Sequence, residues 1–416
     1  MKYTVLSILV LWCATRGVAQ DSLRVTLTQA DDLFRKSNFQ LLVSQLGIDE
    51  NKAYEVQAHL LPNPTVYVET MPINTQTNEF FPVRSSNAEQ IVQYQQLVLL
   101  AGKRNKQTAV AKAQTQLAAD RFYDLVRNLK YQLHSTFYQA WFSLQSMKVY
   151  DDEIDQLQAI VDMYRSQYEK GNVPLKDVVR LRAYLVNLRT ERLNLQQNFV
   201  DYQHDMALLL GMSGNGVIVP VLSDDELKQN EFLTASQENL ITKAYENRPD
   251  LKGFIDVNSL EKQNLTLQKA MAVPDLTLQG SYDRNGSFIP NYFGVGLGIS
   301  LPFWNRNQGN IKAAEVRIKG SEVAINQARL QVEKDVQQAY IKLRMADQLY
   351  QKFDNKFTDD FARLMEGVRL NYQRQNLGVT EFIDFFDSYK TTVLQYNQLR
   401  QNRQQAVEDL SFAIGQ

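Results

Sequence analysis

Three carboxylates follow closely on two short breaks in the chain. Glu381 and Asp384 are spaced i, i+3, so their side chains share one face if this segment is helical. Asp177 stands just after the first break. Carboxylates gathered on one face attract cations and repel anions. Acidic residues are also favoured in the first turn of a helix by the helix dipole, and the pattern leaves both interpretations open.

Other residue types that carry chemistry are scattered along the chain. The histidines have no Glu or Cys at the spacing of metal ligands, and we interpret them as polar helix positions: His59, His134 and His204. No G-x-S-x-G or H-E-x-x-H motif occurs. The glycines at 294–298 lie in an alternating pattern, which is not that of a phosphate-binding loop. The sequence therefore predicts no enzyme, no cofactor and no resident metal.

The composition limits the class of protein. The 416 residues carry 45 Lys and Arg against 46 Asp and Glu, which leaves no basic excess for nucleic acid. A mean hydropathy of −0.37 argues against a polytopic helical membrane protein. The hydrophobic share of 44% argues against global disorder. Only 18 Gly and 10 Pro are present, so the elements should be long.

The N-terminus resembles a secretory signal. Lys2 precedes a short apolar stretch, and Gly17-Val18-Ala19 offers small residues for signal peptidase. We predict a signal peptide at 1–19. The single cysteine, Cys13, lies inside it without a small residue before it, so it is not interpreted as a lipoprotein site. The mature chain would be exported without disulfides.

One very long helical stretch can be recognised from the missing helix breakers. No Gly or Pro occurs from Lys103 to Lys170, and at about 1.5 Å per residue such a helix would reach roughly 100 Å. Apolar residues step by 3, 4, 3 and 4 positions, which is the seam of a coiled coil: Ile154, Leu157, Val161, Tyr164 and Tyr168.

The two halves align at one offset of 204 residues, which indicates an internal duplication. Tyr168 matches Tyr372, Asp177 matches Glu381, and Gly211 matches Gly415. We divide the mature chain into a first repeat (20–211), a linker (212–235) and a second repeat (236–416). The predicted strands are at about 64–72, 90–100, 275–284 and 292–302. The predicted long helices are at about 103–170, 175–210, 308–374 and 379–414.

The strand segments are typical of membrane β-strands. From Tyr292 to Leu301, large apolar residues alternate with small or polar ones. The alternative is a small soluble hairpin packed on the helices. Four strands cannot close a barrel in lipid, where every backbone polar group needs a partner. Three copies would supply about twelve strands, so the predicted fold is mainly α with a small β part, a helical barrel below a shared twelve-strand β-barrel.

The duplicated helix–two-strand–long-helix pattern and the segment Leu301-Pro-Phe-Trp-Asn-Arg-Asn-Gln-Gly309 resemble the TolC-like outer membrane factor family, over essentially the whole mature chain. The junction is similar to that of the branch serving heavy-metal pumps. The resemblance implies a homotrimer in the bacterial outer membrane with a large periplasmic part. It implies a periplasmic adaptor and an inner membrane pump of the resistance–nodulation–division type as partners. The chain would be a passive duct for small molecules or metal cations.

The same resemblance gives the two breaks a role. It implies that the periplasmic tips contact the adaptor, through Gly171, Asn172, Val173 and Pro174 in one repeat and Gln375, Asn376, Leu377 and Gly378 in the other. It also places Asp177, Glu381 and Asp384 at an acidic constriction, with first-turn acids as the alternative. A different class of function, a periplasmic coiled-coil scaffold without a channel, is the runner-up.

Overall fold

The computed structural model describes residues 22–83, 88–214, 216–223, 227, 231–285, 289–353, 355–374 and 376–416. The predicted signal peptide and Gln375 lie outside these residues. Most of the described chain is helical, and a smaller part forms strands.

Three of the long helices, at 103–169, 175–209 and 379–413, occupy segments that lack Gly and Pro, whereas the helix at 308–350 contains Gly309 and Gly320. The helices run as follows: α1 Leu27–Ser37, α2 Phe39–His59, α3 Lys103–Glu169, α4 Leu175–Leu209, α5 Gln237–Asn247, α6 Pro249–Met271, α7 Gln308–Tyr350, α8 Asn355–Gln373 and α9 Val379–Ala413. A short 3₁₀ turn lies at Glu231–Thr234. Among the described residues, none of the helices has a stretch that is long and apolar enough for a membrane span.

One predicted helix is interrupted. The sequence predicts a single helix over 308–374, whereas the structure ends α7 at Tyr350 and resumes with α8 at Asn355. Tighter turns form here, with the Phe353 N–H donating to the Tyr350 carbonyl at 3.1 Å. The rings of Tyr350 and Phe353 both lie against Tyr396 of α9, at centroid distances of 6.4 and 5.8 Å. This packing with a distant segment explains why the chain turns here, between Gly320 and Gly367, where no Gly or Pro occurs.

The strands form one sheet of four and two small pairs. They are β1 Ser22–Val25, β2 Thr65–Thr70, β3 Ile73–Asn74, β4 Glu79–Phe80, β5 Gln90–Val98, β6 Val217–Pro220, β7 Leu276–Asp283 and β8 Tyr292–Ile299. The main sheet is antiparallel in the order β2-β5-β7-β8. Its central pair, β5 and β7, joins the two repeats in a register from Ile91↔Asp283 to Val98↔Leu276. Elsewhere β1 pairs parallel with β6, and β3 pairs with β4.

The chain divides into two compact units that do not follow the sequence repeats. Among the described residues, unit 1 joins those within 22–42, 124–248 and 331–416, and unit 2 joins those within 43–123 and 249–330. Unit 2 contains the four-stranded sheet. Unit 1 contains a core cluster built from both repeats, in which Leu157, Leu181, Leu188 and Phe382 are fully buried. The predicted seam residues Leu157, Val161 and Tyr164 belong to this cluster.

The C-terminal ends of α4 and α9 show the same arrangement in unit 1. Gly211 and Gly415 both take the left-handed conformation, with φ of 62° and 84°, directly after the helices. Asn38 donates to the carbonyl of Leu209 at 2.9 Å, and Arg248 donates to the carbonyl of Ala413 at 3.4 Å. Leu209 and Ala413 are 204 residues apart, so the duplicated positions receive equivalent partners.

Candidate constriction at the helix turns

The turn between α3 and α4 is a glycine-terminated helix end. Gly171 has φ of 77°, which glycine adopts without steric cost. Its N–H donates to the carbonyl of Tyr168 at 2.8 Å, and the N–H of Asn172 donates to that of Gln167 at 2.9 Å, as in a Schellman motif. Pro174 then takes the N-cap position of α4. These two hydrogen bonds end α3 just before Gly171, and the chain reverses its direction within a few residues.

The turn between α8 and α9 has a similar hydrogen bond at the end of the first helix, although Gln375 stands where the first turn has Gly171. The N–H of Asn376 donates to the carbonyl of Asn371 at 3.0 Å, the same long bond as in the first turn. Gly378 is the N-cap of α9 in extended conformation, with φ of −77°. Leu377 and its counterpart Val173 both pack against the core cluster of unit 1. The other described tip residues are exposed: Gly171, Asn172, Pro174, Asn376 and Gly378.

A stack of aromatic rings lies directly behind the two turns. Tyr164 of α3 and Tyr372 of α8 are parallel at 5.1 Å, and Tyr372 stacks on Phe382 of α9 at 4.2 Å. Burial raises the pKa of both tyrosine hydroxyls, and the carboxylate of Asp177 adds to each shift. The stack therefore joins three helices, and Asp177 lies within electrostatic reach of it.

Polar contacts fasten α4 to α9 beyond the turns. Arg180 donates to the hydroxyl of Thr380 at 2.7 Å, and Tyr184 donates to Asp387 at 3.0 Å. Lys390 lies 2.9 Å from Glu191, and it also pairs with Asp387 at 3.0 Å. These links hold the second helices of the two repeats side by side.

The three predicted acidic residues differ in their surroundings. Asp177 is partly buried in the first turn of α4, where its N–H donates to the carbonyl of Pro174 at 3.1 Å. Glu381 and Asp384 are exposed on α9, and among the residues that the structure describes neither has an ion-pair partner. Asp387, one turn further, is neutralised by Lys390. Glu381 and Asp384 are thus the carboxylates of this segment that stay available to a passing cation.

The sequence alone did not identify two buried charged residues near the turns, Lys390 and Glu153. Lys390 is only 6% exposed, and its contacts with Glu191 come from a helix about 200 residues away, for which no local pattern exists. Glu153 of α3 is also buried, and its Oε2 has no hydrogen-bond partner within the described part of the chain. Burial raises the pKa of Glu153 to about 8, although Lys390 opposes this shift.

One histidine is more than a polar helix position. His134 of α3 is buried, with Nδ1 2.8 Å from Glu408 of α9 and Nε2 2.9 Å from Asp31 of α1. Within the ranges that the structure describes, no group of three or more His, Cys, Asp and Glu residues could hold a metal ion. The histidine is therefore an ion-pair centre between three helices.

Comparisons with known proteins agree with this architecture. The sequence profile of the family described as outer membrane efflux protein matches residues 240–416. The cobalt-zinc-cadmium resistance protein CzcC of Cupriavidus metallidurans is 21% identical over 290 residues, which are 70% of this chain and 66% of the relative. The match thus spans just under two thirds of that relative's own length.

Solved channels share the fold over nearly the whole chain. The CusC structure has a TM-score of 0.75 at 15% identity, and covers 94% of this chain and 92% of its own. The Campylobacter jejuni CmeC outer membrane channel has a TM-score of 0.76 at 13% identity, with 94% and 85% covered. The profile match to the second repeat and the fold shared by both repeats lead to one conclusion: residues 240–416 match the outer membrane efflux protein family, and the chain has the fold of the TolC-like outer membrane channels.

Proposed function

We propose that three copies of the chain form the outer membrane exit duct of a tripartite efflux system. The observation that carries this proposal is the apolar face of β8. Phe293, Val295 and Leu297 point to one side of the strand and are exposed, Val295 to 98%, while glycines occupy the other side. A wide exposed apolar face is costly in water and is expected where a strand meets lipid.

The ends of the sheet support assembly. In the described four-stranded sheet, β2 and β8 are edge strands. Unpaired edges are not tolerated in lipid, so each edge needs a strand from a neighbouring copy. Three copies bring about twelve strands, within the range of outer membrane barrels. Phe303 and Trp304, exposed a few residues after the end of β8, suit the aromatic girdle at the membrane surface.

The helices support the same assembly. Exposed apolar residues recur every seven positions on α4, which is the spacing of a coiled-coil seam: Val179, Val186, Leu193 and Val200. We call these residues the α4 seam. A different face of α4 already packs in the core cluster through Val178, Leu181, Leu185 and Leu188. A helix of a second copy would cover the α4 seam.

The two helix turns are proposed to contact the other components of the efflux system. Members of the family work as trimeric channels with adaptor and pump partners, and the exposed turn residues of this chain suit contact with such an adaptor. Three copies of Glu381 and Asp384, with Asp177 nearby, would ring a narrow opening with carboxylates and favour cations. The name of the relative CzcC supports metal cations as one class of cargo. Transport itself would be passive, with energy from the pump.

Fractionation tests the duct directly. We expect the chain in the outer membrane fraction, as a detergent-stable trimer that conducts ions in planar bilayers. Recovery as a soluble monomer would favour the periplasmic scaffold instead. Deletion of the gene followed by growth on metal salts and on antimicrobials separates the classes of cargo, because only the exported class becomes more toxic.

A further inference from the structure

Asp120 of α3 is a buried carboxyl group, and one of its two oxygens lacks a hydrogen-bond donor among the described residues. Its side chain is among the buried polar groups, with the residue 6% exposed. Oδ1 accepts a hydrogen bond from Gln116 at 3.3 Å. Oδ2 is fully buried and has no donor among the residues that the structure describes. A buried carboxylate oxygen without a donor is costly, so a partner that carries a proton is expected.

The group that faces Asp120 is another carboxyl. Asp256 of α6 lies in hydrogen-bond contact with Asp120. The two helices approach closely here, since a Cβ placed on Gly253, three residues before Asp256, would lie 4.0 Å from Cβ of Asp120. All these residues belong to unit 2.

The surrounding charges decide how this pair ionises. Burial raises the pKa of Asp120 to about 7, and the hydrogen bond and charge of Asp256 add to the shift. Gln116 of α3 and Lys252 of α6 act in the opposite direction without cancelling it. Asp120 is buried and Asp256 is half-buried, and two carboxyl groups in contact at such a site cannot both ionise without strong repulsion, as in other carboxyl pairs that share one proton.

We propose that Asp120 and Asp256 share one proton in the folded protein, and that this proton fastens α6 to α3 and makes the contact sensitive to pH near neutrality. The bridge is an O–H of one carboxyl that donates to the ionised oxygen of the other. It supplies the missing partner of Oδ2. Loss of the proton to solvent leaves two negative charges in contact.

The place of the pair suggests why this matters for a duct. Strand β5 leads into α3, and α6 leads into β7, with four residues between each helix and its strand. Strands β5 and β7 are the paired central strands of the sheet, where the two repeats meet. The shared proton thus ties together the two helices that adjoin these strands. Its importance for a duct rests on the proposed function, whereas the shared proton does not.

Infrared difference spectra of the detergent-purified trimer or monomer test the proton itself. All spectra use the Glu153→Gln background, because burial also raises the pKa of Glu153 to about 8. In this background we expect the chain to lose one protonated carboxyl band between about pH 6 and pH 8. Asp120→Asn and Asp256→Asn should each abolish this band, and the control Asp49→Asn, which removes an exposed carboxylate of unit 2, should keep it. A band that persists in both pair variants, or no titration in this range, overturns the proposal.

Thermal unfolding gives a second readout that needs no channel activity. A folded-state pKa above the unfolded value contributes stability at low pH, and this contribution is lost as the pH rises through about 7. The wild type should therefore melt at lower temperature at about pH 8 than at about pH 6. Asp120→Asn supplies a permanent N–H donor, and should melt with a smaller pH dependence. Equal pH dependence in both proteins contradicts the proposal, even if the chain forms channels.

Discussion

Carboxyl groups of the same type behave differently in this chain because of the partners that the fold gives them. Asp387 is neutralised by Lys390, while Asp384 on the same helix is exposed without an ion pair among the described residues. Glu153 is buried with an oxygen that has no donor in the described part of the chain. Charge alone therefore does not identify a functional carboxylate. What separates the candidates is whether the side chain is free to meet a ligand.

The first residue-scale prediction concerns the proposed acidic ring. Glu381→Gln combined with Asp384→Asn should weaken the block of single channels by multivalent cations, by about tenfold or more, because the carboxylates that attract the blocking ion are removed. Bilayer recordings of purified protein measure this. Glu366→Gln is the matched control, since Glu366 is exposed but paired with Arg369 on α8. Unchanged block in the double variant would leave both residues as helix-start acids.

The second residue-scale prediction concerns His134. Burial favours the neutral ring, but the hydrogen bonds and charges of Asp31 and Glu408 outweigh it and raise the pKa to about 9. Because this value lies above the unfolded value, the stabilisation is complete below about pH 6.5 and is lost as the pH rises through about 9. At about pH 6, His134→Gln should lower the free energy of unfolding by on the order of 3 kcal/mol.

Thermal melts across this pH range check the His134 prediction. His204 provides the control, because it is exposed beside Asp205 and outside the three-helix contact. His204→Gln should follow the wild type. A His134→Gln protein with wild-type stability at about pH 6 would show that the burial cost cancels the two ion pairs.

At the scale of elements, the helix ends carry sequence requirements that can be tested singly. Gly211 is left-handed, and a Cβ at this position would collide with the carbonyl oxygen of Ser37. Gly211→Ala should therefore lower stability by roughly 1–3 kcal/mol, measured by thermal or chemical unfolding. Gly320 lies inside α7 with open space around it, so Gly320→Ala should be neutral or stabilising by up to about 1 kcal/mol. Equal effects of the two substitutions would contradict this account.

The α4 seam makes the next prediction at the same scale. Val186 is 60% exposed in the single chain, and in the proposed trimer a neighbouring helix covers it. Val186→Glu would place an unpaired carboxylate in that contact, so the trimer fraction should fall by about tenfold or more. Asn187→Glu adds the same charge to the adjacent exposed position and should assemble normally. Chemical cross-linking in detergent measures both, and full assembly of Val186→Glu would remove the α4 seam from the interface.

At the scale of the whole molecule, the duplication and the compact units describe different things. Each unit takes segments from both repeats, so neither repeat has a core of its own among the described residues. The core cluster of unit 1 mixes α3 and α4 with α8 and α9, and the sheet of unit 2 pairs β5 with β7. The two repeats are therefore expected to fold together, because the apolar residues of each repeat are buried against residues of the other.

Export is the prediction that belongs to the whole chain. The segment 1–19 is interpreted as a signal peptide, so the outer membrane form should begin near Gln20. Mass spectrometry of the intact protein purified from the membrane fraction measures this. A chain that retains Met1 in that fraction would require another route of export.

The sequence by itself determined what depends on neighbours along the chain. Missing Gly and Pro located α3, α4 and α9, the alternation at 292–299 located β8, and the 204-residue offset related Gly211 to Gly415. These signals are local, because helix and strand periodicity and backbone conformation are properties of short segments. The acidic residues after the turns were visible for the same reason.

Only the tertiary structure decided what depends on distant segments. The interruption after Tyr350 follows from rings packed against Tyr396, and the hydrogen bond from Tyr184 to Asp387 follows from the approach of α4 to α9. Burial raises the pKa of Asp120, and Asp256, which is more than 130 residues away, adds to this shift. Burial and charge pairing arise when helices pack, so a single sequence does not encode them in any local pattern.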